Sequence, residues 1–202
     1  MVDKVLRTPK RWVLEPVAER LSGVSPAALT GVGLLAGLAA AGLAASGRPL
    51  AALVLWLLNR LLDGLDGELA RAFDRQSDWG GYLDILADFT VYALIPLGLA
   101  FADGSPITYL ALAIMLSVFY VNAGSWLFLS SLLEKRKQGA VQRGDMTSVT
   151  MPGGLIEGAE TVVFFSLFCL FPGSLPSLYT LFSVLVIITI FQRLVWARRH
   201  LT

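Results

Sequence analysis

Seven of the fifteen acidic residues in this chain crowd into one short stretch: Asp63, Asp66, Glu68, Asp74, Asp78, Asp84 and Asp88. Asp63, Asp66, Gly67, Ala70 and Arg71 recur at helical intervals, and so do Gly80, Asp84 and Asp88, four residues apart. Two helices joined by a short connection around residues 74–79 then bring four aspartates to one place, with Gly67 and Gly80 leaving open space beside them. Four ionised carboxylates at close range repel one another, and a divalent cation removes that conflict. An all-oxygen ligand set suits Mg²⁺, Mn²⁺ or Ca²⁺, and Mg²⁺ commonly completes its shell with substrate phosphates. The rest of the chain offers no rival chemistry. His200 is the only histidine and Cys169 the only cysteine, so zinc centres, disulfides within the chain and histidine-activated nucleophiles are all disfavoured. Ion pairing of the aspartates with Arg60, Arg71 and Arg75 is the plain alternative, but it does not explain a stripe on one face.

The elements that must carry this cluster are membrane helices. Hydrophobic residues make up 55% of the 202 positions and charged residues only 15%, against about 25% in soluble domains. No charge occurs between Arg20 and Arg48, between Asp103 and Glu134, or between Glu160 and Arg193. Those runs match the roughly 20 apolar residues that a membrane span needs. The sequence predicts an all-α integral membrane protein in one domain covering residues 1–202. An amphipathic interfacial helix is expected at about 7–22, where Trp12, Val13, Leu14, Val17 and Leu21 alternate with cations. Six spans follow between about residues 27 and 196, broken at Gly47-Arg48-Pro49, near 74–79, at Gly104-Ser105-Pro106, in the polar stretch 134–152 and at Phe171-Pro172-Gly173. No signal peptide and no internal repeat are expected. Cations gather before the first span and between spans four and five (Lys135, Arg136, Lys137, Arg143), and Arg198 and Arg199 close the chain. The positive-inside rule then puts both termini and the acidic cluster on the cytoplasmic side of the cytoplasmic (inner) membrane.

The acidic stretch reads Asp63-x2-Asp66-Gly67-x2-Ala70-Arg71-x8-Gly80-x3-Asp84-x3-Asp88. This resembles the complete motif of the CDP-alcohol phosphotransferase family, and the expected layout of six spans extends the resemblance over nearly the whole chain. The resemblance implies a fold of six membrane helices, a homodimer, and an enzyme of phospholipid biosynthesis. Its donor would be a CDP-linked lipid, most simply CDP-diacylglycerol, and its acceptor an alcohol, with release of CMP; membrane lipids would be its surroundings and nucleic acid no partner. It implies that Asp63, Asp66, Asp84 and Asp88 bind one or two Mg²⁺ or Mn²⁺ ions. It further implies that Asp66, Gly67, Ala70, Arg71 and Gly80 lie against the CDP moiety, and that Asp88 is the base for the acceptor hydroxyl. A Pro-Asn-x-x-Thr element that often opens the first span is matched at Pro26 and Thr30, with Ala27 in place of the asparagine. Members acting on glycerol 3-phosphate often carry a proline and a lysine where this chain has Ile85 and Phe89. Pro96, eight residues beyond Asp88, looks more like the phosphatidylserine synthase branch.

The acceptor is less legible. Glu157 and Glu160 stand at the start of the fifth span and are candidates for binding it, as is Arg143; pairing of the two acids with Arg60 or Arg193 is the competing expectation. A carboxylate-based ion or proton transporter is the alternative function. It calls for charges reaching both membrane faces, whereas the outer connections hold almost none. A polyprenyl transferase would need more than six spans.

Overall fold

Short breaks in an apolar chain leave helices as the only way to satisfy the backbone in lipid, and the computed structural model, which describes residues 16–136 and 153–201, is built of them. Residues 16–20 are helical and 21–23 turn, which covers only the end of the expected interfacial helix; its earlier part lies outside the described residues. Helix α1 (Pro26–Ala45) starts at Ser25, whose side chain accepts from the Ala28 N–H at 3.1 Å, with Pro26 in the first turn. After Gly47, at φ +72°, helix α2 runs from Pro49 to Ala72. Helix α3 (Asp78–Asp103) is capped by the Ser77 hydroxyl, which accepts from Gly80 N–H at 3.1 Å, and ends at Gly104 in the left-handed region. Helix α4 spans Pro106–Lys135, α5 Gly158–Leu170 and, after a 3₁₀ turn at Pro172–Ser174, α6 Leu175–Leu201. No strand occurs among the described residues.

Helix α1 is the wedge of the structure. It packs closely along both α2 and α3, while α2 and α3 touch each other only sparsely. Its buried face is made of Gly33, Gly37, Ala40, Ala41 and Ala44, small enough for backbones to approach. A Cβ on Gly37 would run into Val91, and one on Gly98 of α3 would stand 2.6 Å from the Ala41 carbonyl oxygen. Helices α2 and α3 therefore share one end, and α1 separates the rest. Helices α4 and α6 form a second pair, and α5 leans on α2. Between these groups lies an aromatic core of Trp56, Phe165, Phe168, Tyr179 and Phe182, all buried, with Tyr179 donating its hydroxyl to the Pro96 carbonyl at 2.9 Å.

Of the six expected spans, length and apolar composition bear out four. Among the described residues, four segments are long and apolar enough to cross a membrane: Pro26–Ala45, Asp78–Asp103, Pro106–Lys135 and Pro172–Leu201. Helix α2 has the length, at 24 residues, but carries Arg60, Asp63, Asp66, Glu68 and Arg71 in its second half. Helix α5 has only 13 residues, about 20 Å at the helical rise, against a hydrocarbon core of about 30 Å. Its start is delayed to Gly158 because residues 153–157 follow a non-helical path in which the Ile156 N–H donates to Thr189 Oγ1 at 2.9 Å.

Candidate active site

The second half of α2 and the first half of α3 carry the acidic cluster, and the turn between them is tightly shaped. Asp74 adopts φ 51°, a left-handed conformation that aspartate tolerates better than most residues. Arg75 ties this turn to the segment before α1 by donating to the Ser22 and Val24 carbonyls at 2.8 and 3.3 Å. With that end closed, Asp63 on α2 faces Asp84 and Asp88 on α3, and each offers one oxygen within 4.8 Å of the others. All three are half-buried. Three hard oxygen ligands at that separation, from two helices, fit a Mg²⁺- or Mn²⁺-sized ion with positions left for phosphate oxygens or water.

Asp66 stands apart from this trio. It is buried, and the Thr30 hydroxyl of α1 reaches its Oδ2 at 2.6 Å. Thr30 Oγ1 also lies 3.1 Å from the Pro26 carbonyl, but a hydroxyl has one proton, and the shorter contact to a carboxylate is the stronger. Asp66 remains within electrostatic reach of Asp63, Asp84 and Asp88. Thus the four aspartates expected to converge form three potential ligands sharing one small volume and a fourth anchored on α1. Pro26 and Thr30 are adjacent to the site through this contact.

Gly67, Ala70 and Arg71 lie on the next turn. Gly67 and Ala70 are half-buried, and a Cβ on Gly67 would meet the Arg71 guanidinium at 3.2 Å, so that cation lies directly over the glycine. Arg71 Nη2 pairs with the buried Glu68 at 2.9 Å, while its Nε is buried without a hydrogen-bond partner among the described residues. Gly80 packs on the Ser77 hydroxyl that caps α3, which gives it a local structural use as well.

Arg60 is the residue that sequence reasoning undervalued. Its Nη2 lies 2.6 Å from Asp88 Oδ1 and its Nη1 3.6 Å from Asp63 Oδ2. Tyr92, which accepts from Arg60 Nη1 at 2.9 Å, was likewise unmarked. Both were in principle readable: Arg60 precedes Asp63 by three residues, and Tyr92 continues the four-residue stripe of Gly80, Asp84 and Asp88. The ion pairing weighed as the plain alternative therefore exists at Arg60, beside the carboxylate trio and not in place of it.

Glu157 and Glu160 sit elsewhere, at the start of α5, and form a reciprocal capping box. The Glu157 side chain serves the helix N-terminus and also accepts from Gly154 N–H at 2.9 Å, and Glu160 accepts from Glu157 N–H at 3.0 Å. Arg193 on α6 is buried, bonded to Asn122 of α4, and within electrostatic reach of Glu157. Arg60 is occupied by Asp88 and Tyr92, so the expected alternative pairing of these acids with Arg60 is not what the structure has. Arg143 lies outside the described residues.

Residues 23–195 match the CDP-alcohol phosphatidyltransferase family. The chain is 41% identical to the inner membrane protein YnjF of Escherichia coli (strain K12) over 178 residues, covering 87% of this chain and 83% of that one. It is 31% identical to the phosphatidylinositol phosphate synthase of Cutibacterium acnes over 154 residues, 71% of this chain and 72% of that one. The fold is similar to that of the phosphatidylinositol phosphate synthase PgsA1 of Mycobacterium tuberculosis, solved with CDP-DAG bound. The TM-score is 0.69 at 23% identity, over 90% of this chain and 92% of that chain. A second structure of that protein, in complex with manganese and citrate, gives a TM-score of 0.67 at 24% identity, over 89% and 86% of the two chains. The match removes the ion-transporter alternative. A chain with this motif, this helical scaffold and this span of similarity belongs to the CDP-alcohol phosphatidyltransferase family and is a membrane-bound transferase of phospholipid biosynthesis.

Proposed function

We propose that this enzyme transfers a phosphatidyl group from CDP-diacylglycerol to the hydroxyl of an alcohol, releasing CMP, with Mg²⁺ or Mn²⁺ held by Asp63, Asp84 and Asp88 and by Asp66 beside them. The observation that carries this reading is the carboxylate trio within 4.8 Å across α2 and α3, with Gly67 one helical turn beyond Asp63 and the Arg71 guanidinium lying over that glycine. The CDP-DAG and the manganese in the two structures of the similar synthase support the choice of donor and of metal.

Each residue then has a task. Gly67 and Ala70 present little side chain, so a nucleotide can approach the backbone of α2, and Arg71 Nε, which has no hydrogen-bond partner among the described residues, is a donor for a phosphate oxygen. Pro26 and Thr30 hold α1 against the same face, and Gly80 keeps the opening of α3 slim. Bound metal would neutralise charge that develops on the CMP leaving group. Asp88, the deepest of the trio along α3, accepts the proton of the acceptor hydroxyl as the new phosphoester bond forms. The proton passes to its carboxylate, and the bonding electrons of the broken phosphoanhydride leave with CMP. Glu157, Glu160 and Arg143 remain candidates for the acceptor side.

The site belongs on the cytoplasmic face of the inner membrane, with both termini on the same side. The arginine- and lysine-rich connections support that orientation, and the location of the E. coli relative supports the membrane. The protein acts as one domain, and a homodimer with six crossings, two of them by α2 and α5, is its expected assembly. The decisive experiment is CMP release by purified protein from CDP-diacylglycerol with a panel of acceptors: serine, inositol phosphate, glycerol phosphate and a lipid alcohol. One acceptor should support transfer, and excess chelator should abolish it. No CMP with any acceptor, or full activity in chelator, overturns the reading.

A further inference from the structure

Arg60 is a cation at the centre of an acidic site, and its neighbours hold it there from several sides. Nε donates to Asn59 Oδ1 at 2.8 Å, Nη1 to the Tyr92 hydroxyl at 2.9 Å and Nη2 to Asp88 Oδ1 at 2.6 Å. The guanidinium carbon lies 4.8 Å from the Trp56 ring centroid and 5.1 Å from that of Tyr92. These supports are themselves fixed. Asn59 donates to the Gly33 carbonyl of α1 at 2.8 Å, Trp56 is fully buried, and Tyr92 meets Phe119 and Phe165 edge-on. A surface arginine that folds onto a nearby carboxylate has none of this, and such pairs contribute little. Here the planar fork is held by Asn59, Tyr92 and Trp56 as well as by Asp88, with the side chain only 10% exposed.

Two consequences follow from that placement. One oxygen of Asp88 is held by the guanidinium, and Tyr92, itself bonded to Arg60, is also in hydrogen-bonding contact with that carboxylate, so Asp88 has little freedom to turn. The guanidinium charge also stands 3.6 Å from Asp63, and it repels any divalent ion that the same carboxylates attract. We infer that Arg60 is a positioning residue: it holds Asp88 through Oδ1 and so sets how the rest of that carboxylate faces the metal position and the acceptor hydroxyl, and its charge holds the affinity of the trio for divalent metal below what three carboxylates alone would give. This rests on the reading of Asp88 as the base.

The two halves separate by experiment. Binding of Mn²⁺ to purified protein without donor is measured by electron paramagnetic resonance, alongside CMP release and the KM for CDP-diacylglycerol. Arg60→Gln should bind Mn²⁺ about tenfold more tightly, the size of a nearby unit charge even in a water-like dielectric. Its kcat should nevertheless fall about 100-fold, because a carboxylate freed by an ångström or so loses its alignment. Donor KM should stay within about threefold, since no donor contact is removed. Arg60→Lys keeps the charge and loses the fork, so Mn²⁺ affinity should hold while kcat falls. A purely structural role predicts no gain in metal affinity. Unchanged or weaker Mn²⁺ binding by Arg60→Gln overturns the inference, as does full kcat in Arg60→Lys. Should Arg60→Gln not fold, Arg60→Lys and Tyr92→Phe decide: lower kcat at wild-type Mn²⁺ affinity supports the clamp, and unchanged kcat in both removes it. Absence of CMP release by the wild type would instead sink the transferase reading, while the Mn²⁺ comparison still tests the charge.

Discussion

Asp88 and Asp63 belong to the same trio but touch different things, and that difference makes them separable. Asparagine at 88 keeps the shape and an oxygen for Arg60 but cannot take a proton at neutral pH. Loss of a general base costs about 10²–10⁴-fold in rate. Asp88→Asn should therefore lose turnover by that order while CDP-diacylglycerol still binds in the presence of metal, as read by single-turnover CMP release and equilibrium binding. Asp63→Asn should weaken metal-dependent donor binding itself. Near wild-type turnover in Asp88→Asn would move the base elsewhere. Gly67→Leu tests the nucleotide face, because its side chain meets the Arg71 guanidinium, a movable group, rather than backbone. The fold should survive by thermal melting and donor affinity should fall by more than about tenfold, since Arg71 is displaced and space for the nucleotide is filled. Donor binding at wild-type strength would reduce Gly67 to a packing residue.

At the scale of elements, the inserted helix α1 is what lets α2 and α3 meet at one end and part along the rest. Thr30 links that helix to the site through Asp66. Thr30→Val removes a charge-assisted hydrogen bond worth about 1.5–3 kcal/mol and leaves a buried carboxylate oxygen without it. The expected result is a lower melting temperature or a raised donor KM, with kcat changed less than in Asp88→Asn; neither change would mean that Asp66 has another support. Helix α5 poses a different question. Glu157 and Glu160 close its first turn upon themselves, and the double change to alanine should cost about 0.5–2 kcal/mol of stability, the range for lost caps. An increase in acceptor KM at unchanged stability would make them acceptor ligands instead of caps.

At the scale of the whole molecule, the proposed orientation in the membrane can be read out directly. With native Cys169 buried, single cysteines can be placed at Arg48, Gly104 or Gly173 for one face and at Asp74 or Gly153 for the other. In sealed inner-membrane vesicles the first group should react with an impermeant maleimide only from the periplasmic side, and the second only from the cytoplasmic side. The reverse pattern would invert the site. Labelling of Gly104 and Gly173 from the same side is also what six crossings require, since they lie in the connections that follow α3 and α5. Labelling of those two from opposite sides would mean that the short helix α5 does not cross.

The meeting of the carboxylates was legible in the sequence because it depends on residue type and helical spacing, both of which are local. Asp63, Asp84 and Asp88 meet because a turn of a few residues can only fold two helices back on each other. The apolar runs likewise announced a membrane helix protein, since hydrocarbon leaves the backbone no other way to pair. Distances between elements far apart in the chain were not legible. Which helix separates α2 from α3 is decided by small residues on α1 meeting Val91 and Ala41–Gly98, a matter of shape that no spacing reports. Asp66 turned toward Thr30, 36 residues away, rather than into the trio. Glu157 and Glu160 read as intramembrane acids until residues 153–157 left the helix and made them caps. Arg60 looked like a surface cation, and only Trp56, Tyr92 and Asn59 closing around it make it part of the centre. Sequence determined which groups are present and in what order along each helix; packing decided which of their atoms are within bonding distance, because that depends on contacts made only once the helices are assembled.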